Sequence, residues 1–493
     1  MREWDASRVA RAAGARIVSE PSPVAREPGP RRASIDSRRV MAGDLFVGLV
    51  GERSDGGEYS VQALRSGAWG VLVAPEHARV AVEARIGGTV LSHPDPLAGL
   101  QELAQAWRRE LRAGGTRVVA ITGSTGKTST KEILAAILSA RLRTVPSPEN
   151  FNTEIGLPLT VLAAASDTEV LVLEMAMRGA GQIAELTAIA EPDVGVIVNV
   201  GPVHLELLGT LEAIAAAKAE LIAGLRPGAI AVIPVDEPLL APHLRGDVRT
   251  VTFGDGGDFS VEAAAPEEIV IREDRRSEAL GARGTAGSAV AGGRRITLRP
   301  SFRQQHNLRN LLAAVATARA LGVDPPERVE VRFSPLRGER LALRGGVVLI
   351  NDCYNANPMS MRAAIDDLAE TAPARRVAVL GDMLELGAAA PSFHREIGEY
   401  AAARGIELLV TVGPLAVEMG GTFSGEVHSA PDSAAAVELL GALLREGDTV
   451  LVKGSRGVGL ERVAEALGAG SESAGGHRGE ESALARCAGP GQP

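Results

Sequence analysis

The run Val118-Val-Ala-Ile-Thr-Gly123-Ser124-Thr125-Gly126-Lys127-Thr128-Ser129-Thr is an apolar strand pattern that breaks into a glycine loop ending in Lys-Thr, then continues as Ala, Ile and Leu at helical spacing. Residues of these types in this order build a phosphate cradle. Glycines let backbone N–H groups close round phosphate oxygens, and the following helix offers its positive end. Lys127 supplies a point charge and the Thr128 hydroxyl can ligate Mg²⁺. Gly123 to Ser129 are therefore expected to hold a nucleoside triphosphate. The strict pattern G-x-x-x-x-G-K-[ST] asks for glycine at 121, where Ile121 stands, so only the shorter G-x-x-G-K-T is matched.

Other polar residues fall where an open α/β sheet collects its ligands, beyond the carboxyl ends of the strands. Glu174 closes Val170-Leu-Val-Leu173, and Asn199 closes Val194 to Val198 with His204 five residues on. Three strand ends can thus direct phosphate, carboxylate and imidazole into one crevice. A carboxylate facing a phosphate loop needs a cation between them, which makes Glu174 a Mg²⁺ ligand; the other reading is a solvated acid at a strand end. Lys218 lies on the apolar stripe of its own helix, with Leu211, Ile214, Ala215, Leu221, Ile222 and Leu225. It either snorkels to the rim or enters the site as a functional group. Desolvation would lower its pKa, and a neutral amine can react with CO₂ to give a carbamate.

The elements that must position these residues alternate between apolar runs and helical patterns. Residues 1–114 carry the short strands Leu45 to Val50 and Trp69 to Val73, then a helix with Leu103, Trp107 and Leu111, and end at Gly114-Gly115. Residues 115–330 alternate strongly, with strands at Val118 to Ile121, Val170 to Leu173, Val194 to Val198 and Ile230 to Ile233, which predicts βαβ units and a parallel sheet. Within them, 254–297 is rich in Gly, Ala and charge and suggests an antiparallel edge or an excursion. Residues 331–469 repeat the alternation at Val347 to Ile350, Val377 to Leu380, Leu408 to Val412 and Val450 to Val452, a doubly wound domain of its own. Residues 470–493 have too little apolar content to pack and are expected to be disordered. The fold class is α/β, a central phosphate-loop ATPase domain flanked by a small N-terminal α/β domain and a C-terminal Rossmann-like domain.

Composition removes several classes of function. A chain of 493 residues with 45% hydrophobic content is too long for one core. No stretch approaches the roughly 20 apolar residues of a membrane span, and Met1-Arg-Glu-Trp-Asp lacks the apolar core of a signal peptide, so a cytoplasmic protein is expected. Cys353 and Cys487 are the only cysteines, which fits a reducing compartment. A net charge of −9, without basic clusters interleaved with aromatics, argues against nucleic-acid binding.

Taken in order, Thr-Gly-Ser-Thr-Gly-Lys-Thr, Glu174-Met, Asn199-Val-Gly-Pro-Val-His204-Leu, Lys218-Ala-Glu and His306-Asn-Leu-Arg-Asn310-Leu-Leu-Ala-Ala resemble the Mur ligases, ATP-dependent enzymes that add amino acids to the peptidoglycan precursor. The order and spacing match across nearly the whole chain. Ile35-Asp-Ser37-Arg38-Arg-Val, Gly43-Asp-Leu-Phe and above all Asp352-Cys-Tyr354-Asn355-Ala-Asn357-Pro358-Met-Ser360 are similar to the branch that joins D-alanyl-D-alanine to UDP-N-acetylmuramoyl-tripeptide. Gly381-Asp382-Met-Leu-Glu385-Leu-Gly387, His394 and Lys453-Gly-Ser-Arg agree with it. The Asp-Asn-Pro-Arg motif expected of the diamino-acid-adding sibling is not present.

The resemblance implies a role for each residue. Lys127 neutralises charge during transfer of the γ-phosphoryl group. Thr128 and Glu174 bind one Mg²⁺, and His204 with carbamoylated Lys218 a second. Asn310 reaches the adenine and Asp352 the ribose. Ser37 and Arg38 lie against the UDP end, and Asn150, Asn152, Tyr354, Asn355 and Asn357 near the peptide ends. A monomer is the expected state. Gly57, Thr153, Ala176 and Gln304 depart from the family pattern. His306 stays open between a helix-start cap or packed ring and a site residue. Rival expectations are a related Mur ligase such as the diamino-acid-adding sibling, a folylpolyglutamate-type ligase, and a regulatory phosphate-loop NTPase that hydrolyses ATP without an acceptor.

Overall fold

Uninterrupted apolar runs such as Val118-Val-Ala-Ile have no polar face to turn to water, so they belong in strands covered on both sides. The computed structural model, which describes residues 1, 3–20, 29–148, 150–265, 267–274 and 293–472, places them so. Its strands form three sheets of five, ten and six. The residues sort into two compact units: Met1–Val200, Ala215–Arg303 and Asn307–Val331 make the first; Gly201–Ile214, Gln304–His306 and the residues from Arg332 on make the second.

The first unit holds two sheets. The smaller runs Arg16–Ser19, Thr89–Ser92, Gly70–Val73, Leu45–Val47, Ala33–Ser34, all parallel except the first pair. The helix Pro96–Ala113 follows, started by Pro96 and by the Asp95 carboxylate, which accepts from the amides of Leu97 and Ala98. It is riveted to the elements after it. Trp107 donates to Ala164 O, and the fully buried Arg108 donates to Ala190 O and to the Asp193 carboxylate at 2.7 Å. Trp4 packs edge-on against Trp107 with ring centroids 5.3 Å apart.

In the ten-stranded sheet, Arg117–Thr122 lies between Val170–Glu174 and Val194–Ile197, and all three are parallel. Ile121 pairs with Glu174 and Thr122 with Ile197, so the loops after these strands emerge side by side at the carboxyl edge. Thr144–Pro146 flanks them on one side and Ile230–Pro234 with Arg249–Phe253 on the other. The expected antiparallel edge is present as Phe259–Ala265, Glu268–Glu273 and Arg294–Pro300.

The second unit carries the six-stranded sheet, ordered Glu339–Ala342, Val348–Asn351, Thr449–Lys453, Arg376–Gly381, Leu408–Val412, Glu426–Ala430; only the first pair is antiparallel. Ala378 and Leu380 pack with Met361, Ile365 and Ile397, while Val377 and Val379 pack with Ala436, Leu440 and Val463. Alternate residues thus face helices on opposite sides, as a doubly wound sheet requires. The last helix, Glu461–Glu472, runs past the boundary expected at 470, because the helical pattern from Arg462 to Leu467 carries its final turn onward. Residues 473–493 lie outside the described residues, and with them the rest of the expected disordered tail.

Candidate active site

The phosphate loop is held in shape by its neighbours. Gly123 and Gly126 have φ of 156° and 75°, conformations that exact a penalty from any side chain. A Cβ on Gly126 would stand 2.3 Å from Asn310 Oδ1, so a larger residue is also excluded by contact. Asn199 grips the loop from the adjacent strand: its Oδ1 accepts from Ser124 N and Thr125 N at 3.0 and 2.9 Å, and its Nδ2 donates to Thr125 O at 3.1 Å. Lys127 Nζ folds back onto Gly123 O at 2.9 Å. The helix Lys127–Ser139 starts without a side-chain cap, its positive end directed at the loop.

Glu174 is 2% exposed, which rules out a solvated strand-end acid. Its Oε2 accepts the Thr128 hydroxyl at 2.8 Å and its Oε1 accepts the Asn152 amide at 3.0 Å. Lys131 Nζ lies 3.6 Å from Oε2. Asn310, which closes over Gly126, is itself buried, donates to Asn307 Oδ1 at 2.9 Å and receives the Thr130 hydroxyl at 3.4 Å.

Lys218 is 1% exposed and does not reach the rim, so the snorkelling alternative is corrected. Its stripe is also shorter than expected, because Leu211 at the helix start is 40% exposed while Ile214, Ala215, Leu221, Ile222 and Leu225 are buried. Among the described residues no hydrogen-bond acceptor or carboxylate meets the amine. Burial, and then the nearby Lys127 charge, hold its pKa well below that of an ordinary lysine.

Other expected site residues lie in the second unit. His204 and Glu385 both adopt left-handed backbone, with φ of 55° and 63°, and the His204 Nδ1 meets the Glu385 carboxylate. The Glu385 loop is pinned on three sides. Asp382 Oδ1 accepts from Leu415 N and Ala416 N, Met383 N donates to His394 Nε2 at 2.9 Å, and Leu384 N donates to Ser455 Oγ at 2.9 Å. His394 is fully buried with its Nδ1 on Ala390 O, and burial pushes its pKa down. Asp352 is paired with Lys453 at 2.6 Å, and Lys453 also donates to Asn355 O at 3.0 Å. The Arg337 guanidinium stacks over the Tyr354 ring at 3.9 Å. Asn357 and Ser360 close a capping box that starts the helix Pro358–Thr371.

Ser37, Arg38 and Asn150 sit at the surface of the first unit, with the Arg38 guanidinium forked onto Asp36 at 2.9 Å. His306 opens the helix His306–Ala320; the residue as a whole is exposed, while burial around its ring pushes its pKa down. The structure thus brings together the phosphate loop, Glu174, Asn152 and Asn310, with Lys218 within reach of the Lys127 charge. In the second unit it joins Asp352 to the 354–357 segment and His204 to Glu385. Sequence reasoning gave no role to Lys131, Lys453, Asn199 or Glu385. Lys453 and Glu385 stood in quoted motifs, but their partners lie 101 and 181 residues away.

Among the described residues no cluster of three or more His, Cys, Asp or Glu could hold a metal by itself. A buried carboxylate beside a threonine hydroxyl at the edge of a phosphate loop nevertheless fits a magnesium ion that takes its remaining oxygens from phosphate and water.

Two family models match the chain, the Mur ligase middle domain over residues 121–318 and the Mur ligase, glutamate ligase domain over residues 336–456. The chain belongs to the Mur ligase family. Mur ligase relatives include the UDP-N-acetylmuramoyl-tripeptide–D-alanyl-D-alanine ligase of Bacillus subtilis, 34% identical over 450 residues that cover 88% of this chain and 92% of that one. The protein of that name in Mycobacterium leprae is 35% identical over 512 residues, 92% of this chain and 96% of its own. Among solved Mur ligases, MurF from Thermotoga maritima in complex with ADP aligns with a TM-score of 0.74 at 31% identity, covering 89% of this chain and 97% of that one.

Proposed function

We propose that this chain is an ATP-dependent ligase that joins D-alanyl-D-alanine to UDP-N-acetylmuramoyl-tripeptide in cytoplasmic synthesis of the peptidoglycan precursor. The observation that carries the reading is the phosphate loop closed onto buried Glu174 through the Thr128 hydroxyl, in a chain aligned over 88% of its length with a ligase named for that reaction. No helix among the described residues is long and apolar enough to cross a membrane, in keeping with water-soluble substrates.

A carboxylate is a poor electrophile. The terminal carboxylate oxygen of the tripeptide attacks the γ-phosphorus, the bond to ADP breaks, and an acyl phosphate results. The amine of D-Ala-D-Ala then attacks the acyl carbon, the carbon–oxygen bond to phosphate breaks, and the nitrogen loses a proton. Phosphoryl transfer asks a protein mainly for positioning and charge neutralisation. The loop amides and Lys127 provide both, and Asn199 keeps the loop from having to order itself when nucleotide arrives.

Thr128 and Glu174 would hold one Mg²⁺, and His204 with carbamoylated Lys218 a second. Bound there, magnesium neutralises the phosphate oxygens. Glu385 engages Nδ1 of His204 and so leaves Nε2 for a ligand. The deprotonated amine of Lys218, which meets no acceptor or carboxylate among the described residues, can add to the carbon of CO₂ with loss of a proton, and the carbamate so formed is an anionic oxygen ligand.

In this reading residues 1–114 take the nucleotide sugar through Ser37 and Arg38, residues 115–330 take ATP with Asn310 on the adenine side, and residues 331–469 bring the dipeptide, with Asp352 toward the ribose. Asn150, Asn152, Tyr354 and Asn355 serve the peptide ends, and Asn357 fixes their loop. The test is phosphate release from ATP with each substrate omitted in turn. Turnover should require both the UDP-tripeptide and D-Ala-D-Ala; equal release without either would sink the ligase reading and favour a hydrolytic NTPase.

A further inference from the structure

Lys131 is a buried cation for which the ligase reaction as described has no use. It follows Lys127 by four residues and Thr128 by three, so in the helix Lys127–Ser139 it stands one turn behind both on the same face. It is 2% exposed, and Glu174 at 3.6 Å is the one carboxylate that pairs with it among the described residues. That separation makes an ion pair without a hydrogen bond. One lone pair on each Glu174 oxygen is taken, by Thr128 on Oε2 at 2.8 Å and by Asn152 on Oε1 at 3.0 Å, and the other on each stays open. Lys131 therefore supplies charge to Glu174 and leaves its oxygens to other partners.

Two buried charges this close neutralise one another, and either alone would be strongly disfavoured. A divalent ion on Glu174 and Thr128 changes the balance. It meets one carboxylate already neutralised, with the ammonium of Lys131 close behind. A bare dication gains little there. A triphosphate brings several negative charges to the same place and offsets the excess of cations.

We propose that Lys131 is a built-in counter-cation that holds the charge of Glu174 balanced in the nucleotide-free enzyme and so makes divalent-metal binding depend on the phosphates of the nucleotide. The inference rests on the reading of Glu174 and Thr128 as metal ligands. Its consequence is that metal enters with the nucleotide and does not occupy the site ahead of it.

The test is Mn²⁺ binding to the full chain, followed by the electron paramagnetic resonance of free Mn²⁺, with and without ADP, no turnover being required. Wild type should bind Mn²⁺ weakly without nucleotide and much more tightly with it. Lys131→Met should raise the nucleotide-free affinity at least about tenfold, the scale for removing one charge a few ångströms away, while the affinity with ADP changes little. Lys131→Arg should behave as wild type. Lys131→Gln, which keeps a donor toward Glu174, serves if the methionine variant does not fold, with the same expected gain. Nucleotide-free Mn²⁺ binding as weak as wild type in the folded neutral variant, or equal weakening in both arms, would overturn the proposal and leave Lys131 a packing residue. Glu174→Gln separates the two readings: unchanged Mn²⁺ binding with ADP in that variant would remove Glu174 as a ligand, whatever Lys131 does.

Discussion

Three lysines of this chain are almost equally buried, at 1 to 2% exposure, yet they live in different electrostatic surroundings. At the phosphate-loop end of the ten-stranded sheet, Lys218 meets no acid among the described residues and Lys131 stands 3.6 Å from Glu174. At the carboxyl end of the six-stranded sheet, Lys453 is locked onto Asp352 at 2.6 Å and onto Asn355 O. Burial alone therefore does not tell what a lysine is for; the tightness of its pairing does. The loosely paired region keeps charge available for a ligand, and the tightly paired one spends its charge on holding a loop.

The sharpest way to break this contrast is to remove the unpaired lysine. Lys218→Ala should be nearly inactive and partly rescued by a small added carboxylic acid, since a carbamate is an anionic oxygen ligand. Lys218→Arg with full activity would end the carbamate reading. In CO₂-free buffer the sign of the pH dependence is also fixed. The folded amine titrates well below the unfolded value near ~10.4, so between the two the unfolded chain binds the extra proton. Stability should rise with pH through that window and flatten above it. Lys218→Met should lack this part of the slope in denaturant titrations.

Next in size is Glu174→Gln, which keeps the shape of the carboxylate but not its charge. Turnover should fall by roughly 10²-fold, the scale of one lost transition-state contact. A variant within a few-fold of wild type at limiting Mg²⁺ would show that the loose pair is only structural. Alanine is the poorer choice here, because it would also remove the side chain that Thr128 and Asn152 bond to and leave a void beside Lys131.

The smallest effect is expected from the tight pair. Lys453→Met frees Asp352, whose side chain is 22% exposed and can hydrate. Stability should drop by about 1–3 kcal/mol, and KM for ATP should rise more than kcat falls. A kcat loss as large as that of Glu174→Gln would mean that Lys453 does more than brace the loop.

Much of the plan was legible in the sequence, for a physical reason. Parallel strands covered on both faces must be apolar throughout, so Val118 to Ile121, Val170 to Leu173 and Val377 to Leu380 announce themselves. Arg16–Ser19, Ala33–Ser34, Glu339–Ala342 and Glu426–Ala430 did not, because strands near a sheet's edge are short and half-polar. The phosphate loop was readable because all its chemistry is local. Nothing local in the sequence marks Lys131, and only its packing beside Glu174 of the neighbouring strand shows it buried. Lys453 and Glu385 find their partners far along the chain, where no spacing rule reaches.

The edge-on pair of Trp4 and Trp107 has an optical consequence. With Trp69 they are the only tryptophans of the chain, and all three belong to the first unit. Indole emission therefore follows the unfolding of that unit and is blind to the other, whose aromatic signal comes from tyrosine and phenylalanine. A melting curve taken at tryptophan wavelengths and one taken by far-ultraviolet dichroism coincide only if both units come apart together.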